Sequence, residues 1–449
     1  MILLSFTVRN HKSIRDEVTL DLTSPSLRTL QPSDGDWEKV SYPITGIFGA
    51  NASGKSALLD AILYMFSAIR FSATVWQDGK GVYRAPFALD GTAETSSSFY
   101  EIDFVFANHR FCYGFEVDRK GIAREWLKDI PTTRWRTLFH RDREQETFKF
   151  HSTVKSTSEV TDRELVLSRA LLLKRGKSVL GAVARELVEA FDCVLVTDSY
   201  RAHRVAGIIE DLVENNMTFG DLQMLLEIAD IGVEGITVEQ SDVPEEVRRL
   251  LRILDRELGG SATPSDTLDE DTPGGGTGID TDEKHREQVA RRLMLTHRGS
   301  VKQCPPFRIE QESDGTIAWL ALSVPVLEAL RSGGLVIVDE IDASIHPHLL
   351  ELVLGAFADP EINRKHAQLI FSTHESFVLS PMCEVKLQPE QVWFTDKAVD
   401  GATELTCLAD FPRHPDANVA RRYLAGRYGG TPRLAPSMLL ALVDSSLDQ

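Results

Sequence analysis

Cysteine is scarce in this chain: five in 449 residues (Cys112, Cys193, Cys304, Cys383 and Cys407), an odd number with no C-x-x-C spacing. That excludes a disulfide framework and a structural zinc site, and leaves ordinary thiols suited to a reducing compartment. No apolar run reaches the roughly 18 residues that span a bilayer. The opening stretch, Met1 to Arg9, alternates like a strand and lacks the build of a signal peptide. The expectation is a cytoplasmic protein with no membrane partner. Positive charge is short as well, with 49 Lys and Arg against 67 Asp and Glu and a formal charge of -18. Such a field repels polyanions at long range, so a protein that coats nucleic acid is excluded. Contact with DNA or RNA would need a local basic patch or a partner.

What is present is a globular composition, 42% hydrophobic and 26% charged, long enough for two or three structural units. Residues 1–155 read as strands and one strong helix. The apolar run Ile44 to Phe48 has the form of a buried parallel strand, a helix follows from Gly54, and Ser98 to Val117 reads as a hairpin. Residues 156–258 carry amphipathic helical periodicity over Arg163–Arg175, Leu180–Phe191, Ala202–Asn215, Phe219–Ala229 and Pro244–Leu258, with a short strand at Gly235–Glu239. Residues 259–289 are assigned to a disordered acidic loop, because Gly259 to Glu283 holds seven acids, no Lys or Arg, and little apolar content. The β/α pattern returns over 290–410. Residues 411–449 read as a helical tail, with segments at Asn418–Leu424 and Pro436–Val443.

Gly49-Ala50-Asn51-Ala52-Ser53-Gly54-Lys55-Ser56 fits G-x-x-x-x-G-K-[ST] completely. Glycines at both ends let the backbone curl its N–H groups around one phosphate, and the following helix adds its positive end. Lys55 can reach the β- and γ-phosphates and Ser56 can ligate Mg²⁺. The candidate nucleotide contacts are Gly49, Asn51, Gly54, Lys55, Ser56 and Ala57. The apolar strand Leu335–Val338 ends in Asp339 and Glu340, the first suited to Mg²⁺ and the second to orienting or deprotonating a water. Alone, that pair is merely a strand meeting a polar loop. It gains weight from Asp342 and Ser344 before a helix opened by Pro347, and from His374 at the end of the strand Gln368–Phe371. Ser313 and Gly315 stand at a helix start, where an ordinary N-cap is the plain reading and an anion grip the sharper one.

The order of these motifs, phosphate loop, long insertion, Ser-x-Gly-Thr, Val-Asp-Glu-Ile-Asp-Ala-Ser-Ile-His-Pro, then Ser-Thr-His, resembles the ABC-type ATPase heads of the SMC and RecF class. It is most similar to the AAA-type ATP-binding proteins of bacterial phage-defence loci, relatives of the overcoming-lysogenisation-defect ATPases. The segments from Phe6 to Ser13 and from Tyr423 to Gly429 resemble that group's ends. The resemblance covers about 1–150 and 300–430 and implies an α/β P-loop NTPase, an ABC-type head with a helical insertion. It implies ATP and Mg²⁺ as cofactors, Lys55, Glu340 and His374 as catalytic residues, and Ser56 and Asp339 at the metal. Asp342 would couple paired sites, Ser313 and Gly315 would contact the γ-phosphate held by a second subunit, and Lys12 and Ser13 would lie near the nucleotide. Two departures stand out. Ser-Asp-Gly-Thr is not the transporter signature, and the nearest glutamine-loop candidate is Gln77.

The implied function is a nucleotide-gated homodimer or higher homo-oligomer, a sensor or scaffold ATPase of anti-phage defence. With only about 20 residues after Tyr428, no effector domain is expected in the chain, so a separate nuclease or toxin is the implied partner. A RecF-like DNA-repair ATPase and a structural assembly protein with static ATP are the alternatives, and nucleic acid stays open as a partner.

Overall fold

The alternating N-terminus becomes strand β1 (Ile2–Arg9), in which Leu3, Phe6 and Val8 are fully buried and a register shift between Leu3 and Ser5 turns Leu4 toward a separate small core with Trp37, Val40 and Val105. The computed structural model describes residues 1–78, 83–154, 160–173, 178–229, 231–242, 289–299, 304–412 and 418–431. The helix expected at 244–258, the acidic stretch 259–283 and the helix expected at 436–443 lie outside the described residues. Two compact units result, one from residues 1–200 with 321–449 and one from residues 201–320.

In chain order the first unit opens with β1, β2 (Val18–Asp21), β3 (Ile44–Phe48) and helix α1 (Lys55–Phe71). Strands β4 (Ser98–Phe106), β5 (His109–Asp118), β6 (Gly121–Asp129), β7 (Arg136–Asp142) and β8 (Thr147–Phe150) follow, then α2 (Val166–Leu171), α3 (Val179–Glu189) and β9 (Phe191–Val194). Helix α4 (Asp198–Glu214) leads on to α5 (Phe219–Ile228), β10 (Val233–Asp242), β11 (Val289–His297), β12 (Phe307–Arg308) and α6 (Asp314–Ser332). The chain closes with β13 (Leu335–Val338), α7 (Pro347–Ala358), β14 (Gln368–Thr373), β15 (Val392–Lys397), β16 (Thr403–Cys407) and α8 (Val419–Leu424).

The first unit has two sheets. One is antiparallel throughout, in the order β2-β1-β4-β5-β6-β7-β8. The other runs β16-β15-β3-β14-β13-β9, with every pair parallel except the edge pair β15–β16. Strands β3, β13 and β14 are buried along their whole length, which is why they are unbroken apolar runs and not alternating ones. Helix α1 shares a core with both sheets: Leu58, Ile62, Met65 and Ile69 join Phe6, Tyr100 and Phe115 of the first sheet and Ile337 and Ile370 of the second. A helix enclosed in this way must be apolar nearly all round, and α1 is. Each large side chain so buried stabilises the fold by about 1.5–3 kcal/mol before entropy is counted.

The helical reading of Leu180–Phe191 overshoots. Helix α3 stops at Glu189, and Phe191–Val194 is strand β9, parallel to β13, with the Phe191 ring stacked on Phe66 at 4.0 Å. Four half-buried residues are too few for periodicity to separate a strand from the end of a helix. The second unit is likewise not all helical. Its strand extends beyond Gly235–Glu239 to the full β10, paired antiparallel with β11, and β12 makes a third strand. Helix α5 begins with a capping box in which Thr218 and Asp221 each bind the other's backbone N–H.

Candidate nucleotide site

Three parallel strands end side by side in the first unit, β3, β14 and β13, and the loops that leave them carry the chemistry. Strand β3 runs into the loop Gly49–Gly54, and α1 starts at Lys55. Gly54 has φ +113°, a conformation L side chains rarely adopt, and a Cβ there would sit 2.1 Å from Thr403 Oγ1. A Cβ on Gly49 would lie 2.4 Å from Ser53 Oγ and 2.5 Å from Thr395 Oγ1. Both glycines therefore answer to the β15–β16 hairpin as well as to the loop's own curl.

That hairpin grips the loop through hydroxyls. Ser53 and Thr395 share a hydrogen bond of 2.6 Å, and Thr403 donates to the Ser53 carbonyl at 3.2 Å. Thr403 Oγ1 in turn lies 3.0 Å from the Lys397 ammonium and 2.8 Å from Ser13 Oγ. Ser13 is thus behind the loop, reaching it through Thr403. The C-terminal segment backs the same spot: Tyr423 and Tyr428 stack on Phe394, and a Cβ on Gly430 would come 3.2 Å from the Gly49 Cα.

Lys55 is folded into the loop, its Nζ donating to the carbonyls of Gly49 at 2.8 Å and Ala50 at 3.1 Å. Burial pushes its ammonium below the usual lysine range, and the fields of Glu340, Asp339 and Asp342 oppose that shift. A cation held by carbonyls in a cradle of this kind is a fit seat for an anion. Ala57 is buried on the next turn of α1 and Asn51 is exposed at the loop's tip.

Ser56 Oγ donates to Asp339 Oδ1 at 3.2 Å, which brings together a hydroxyl and a carboxylate of the hard-oxygen type that suits Mg²⁺. Ser372 Oγ donates to the same Asp339 oxygen at 2.5 Å and accepts the Glu340 N–H at 2.8 Å. Glu340 itself has φ +47°, a left-handed conformation uncommon outside glycine, asparagine and aspartate. His374 Nδ1 lies 3.2 Å from Asp342 Oδ2, with His374 half exposed and the Asp342 side chain only 8% exposed. Asp342, His374 and Glu375 bring one possible metal-ligand atom each within 4.8 Å of one another, and the His374–Asp342 contact satisfies two of them without an ion.

Lys12 is tied to α1, its ammonium 2.7 Å from Asp60 Oδ1. His11, fully buried beside it, bridges Asp60 Oδ2 and the Tyr100 hydroxyl at 2.8 Å each. Asp60 stands one turn past Ser56, a lone acid on an otherwise apolar face, and that anomaly is the signal by which the sequence could have revealed it. Gln77 belongs elsewhere: its amide donates at 2.6 Å to the carbonyl of Ser72, the C-cap of α1, about 24 Å of helix from Ser56. In the second unit, Ser313 Oγ accepts the Thr316 N–H at 3.2 Å at the start of α6, an N-cap arrangement, with Gly315 in the first turn. His297 on β11 bonds the neighbouring Glu312 at 2.7 Å.

No curated protein sequence matches this chain. Among the solved structures that resemble it is one titled "Crystal structure of the SmcHead bound to the C-winged helix domain of ScpA", 15% identical, with a TM-score of 0.37, covering 91% of this chain and 97% of that one. A likeness at that level fixes no residue correspondence. Among the described residues no helix is long and apolar enough to cross a membrane. A family profile described as "AAA domain, putative AbiEii toxin, Type IV TA system" matches residues 44–380, from β3 past His374. That span is well over half the chain and takes in the phosphate-loop pattern and both carboxylates. Membership of an AAA family implies binding and hydrolysis of ATP, and the description links it to toxin and phage-defence systems. The mixed α/β chain belongs to this AAA ATPase family.

Proposed function

We propose that the chain is an ABC-type ATPase head, akin to the SMC, RecF and overcoming-lysogenisation-defect classes, that works as a nucleotide-gated homodimer or higher homo-oligomer and controls a separate nuclease or toxin. The observation that carries the reading is the convergence of Lys55, Ser56, Asp339 and Glu340, with His374 close by in sequence to Ser372, at the ends of three adjacent parallel strands.

The residues fit ATP and Mg²⁺. Gly49, Asn51, Gly54 and Ala57 would line the phosphates, Lys55 would turn its ammonium to them, and Ser56 and Asp339 would supply oxygens to the metal. Mg²⁺, when bound, neutralises phosphate charge. Glu340 would orient the attacking water and take its proton as the water oxygen bonds the γ-phosphorus and ADP departs. His374, aligned by Asp342, would donate a hydrogen bond to the γ-phosphate. Lys12 and Ser13 would support the nucleotide from the flank, through Asp60 and Thr403. Ser313 and Gly315 would meet ATP held by a second copy, and Asp342 would couple the two sites.

A DNA-repair role is disfavoured by the antiparallel sheet. All five of its strand arginines have carboxylate partners: Arg9 with Glu17, Arg110 with Asp103, Arg124 with Asp142, Arg136 with Asp129, and Arg141 with Glu125. A phosphate backbone needs basic side chains that are not already neutralised.

Steady-state ATP hydrolysis by the purified chain and by Glu340→Gln tests the proposal. Turnover should fall by about 100-fold or more in the variant while nucleotide still binds. Equal turnover in the two proteins would remove Glu340 from the chemistry.

A further inference from the structure

The hydroxyl of Ser372 stands between the two carboxylates on which the proposed reaction depends. It is fully buried at the end of β14, donates to Asp339 Oδ1 at 2.5 Å and accepts the Glu340 N–H at 2.8 Å. The Ser372 carbonyl accepts the next N–H, that of Ile341, at 3.0 Å. One residue therefore holds three consecutive positions of the facing loop, and a second contact, His374 to Asp342, follows two residues later on the same segment. The loop needs holding. Glu340 has φ +47°, and a non-glycine residue there costs of order 1–3 kcal/mol unless its surroundings impose it.

The hydrogen-bond inventory is strict. A serine hydroxyl has one proton, and with Asp339 ionised that proton must go to the carboxylate, which leaves the lone pairs for Glu340 N–H. Asp339 Oδ1 also receives Ser56 Oγ at 3.2 Å. The chain Ser56–Asp339–Ser372–Glu340 thus links the residue that opens α1 to the backbone of the proposed base. An apolar residue in place of Ser372 would leave the Glu340 N–H without its partner and let the Asp339 carboxylate rotate.

We propose that Ser372 is a positioning residue for ATP hydrolysis, setting the direction of the Asp339 carboxylate toward the metal and of Glu340 toward the water. This rests on the reading of Asp339 and Glu340 given above. It predicts a defect of a particular shape. Groups that orient a metal ligand are typically worth about 10–100-fold in metal affinity or activity. Ser372→Ala should therefore lower kcat by about 10–100-fold with KM for ATP changed much less, and should raise the Mg²⁺ concentration for half-maximal rate.

The test uses the full chain. Wild type, Ser372→Ala, Ser372→Cys and Glu340→Gln are compared for kcat, KM, Mg²⁺ midpoint and, independently of turnover, binding of Mn²⁺ in the presence of ADP followed by electron paramagnetic resonance. Weaker Mn²⁺ binding and a raised Mg²⁺ midpoint in a Ser372 variant that melts cooperatively bear the proposal out. Ser372→Cys, nearly the same volume with a weak donor, serves if the alanine variant does not fold. Wild-type metal binding and kcat in a folded Ser372 variant, with Glu340→Gln inactive, overturn the positioning role alone. An active Glu340→Gln overturns the site reading beneath it.

Discussion

Gly54 meets two independent demands, a backbone angle of +113° and a neighbour that leaves no room for a Cβ, and either would exclude alanine. Gly54→Ala should lower stability by about 1–3 kcal/mol and weaken nucleotide binding by at least about 10-fold, as read by thermal unfolding and titration with a fluorescent ATP analogue. Unchanged binding would mean that this loop is not the nucleotide seat. The need for glycine at that position was legible from the motif, because it is a property of eight consecutive residues. Its second cause was not: Thr403 lies far down the chain, and nothing near Gly54 announces it. Ser372, Thr395 and Lys397 were overlooked for the same reason, each meeting the site through long-range contacts. Lys12 shows the converse. The motif marked it correctly as a residue of the region, yet its partner is Asp60, a carboxylate on α1.

At the scale of elements, buried parallel strands were the easiest to read, since β3, β13 and β14 are apolar along their whole length. Strand β9 was missed because it is four residues long and directly follows a helix. The parallel sheet is approached from outside by a titratable contact. His366, in a left-handed turn just before β14, has its Nε2 2.8 Å from Ser41 Oγ, and burial pushes its imidazole down to about 4. The folded value lies below the ordinary one of about 6.5, so the folded state favours neutral histidine. Its stabilising effect is complete above pH 6.5 and is lost as pH falls toward 4, by up to about 3 kcal/mol. Chemical denaturation of wild type and His366→Asn between pH 7 and 4 should show wild-type stability falling more steeply. Parallel curves would mean that His366 is not held neutral. Asparagine tolerates the left-handed angle, so the comparison reports the proton and not the turn.

For the molecule as a whole, the two units differ in how much of them could be foreseen. The first follows from hydrophobic pattern and motif order, and its β/α half carries most of the recognisable signals. The second was read as helices, and its β10–β11 pair was only glimpsed, because those strands are separated by residues 243–288 and alternate weakly. Ser313 belongs to that second unit, and its hydroxyl serves as a helix cap, the plainer of its two readings; an N-cap that also faces an anion would be used twice. The account requires ATP to join two copies, with the Ser313 segment of one completing the site of the other. The direct measurement is the mass in solution of Glu340→Gln with ATP and Mg²⁺ against the same protein with ADP, by light scattering after size exclusion, with Ser313→Arg in the same background as the control. The account predicts a dimer or larger with ATP, dissociation with ADP, and no ATP-driven assembly once Ser313 is replaced. The same mass with ATP, with ADP and with Ser313→Arg would contradict it.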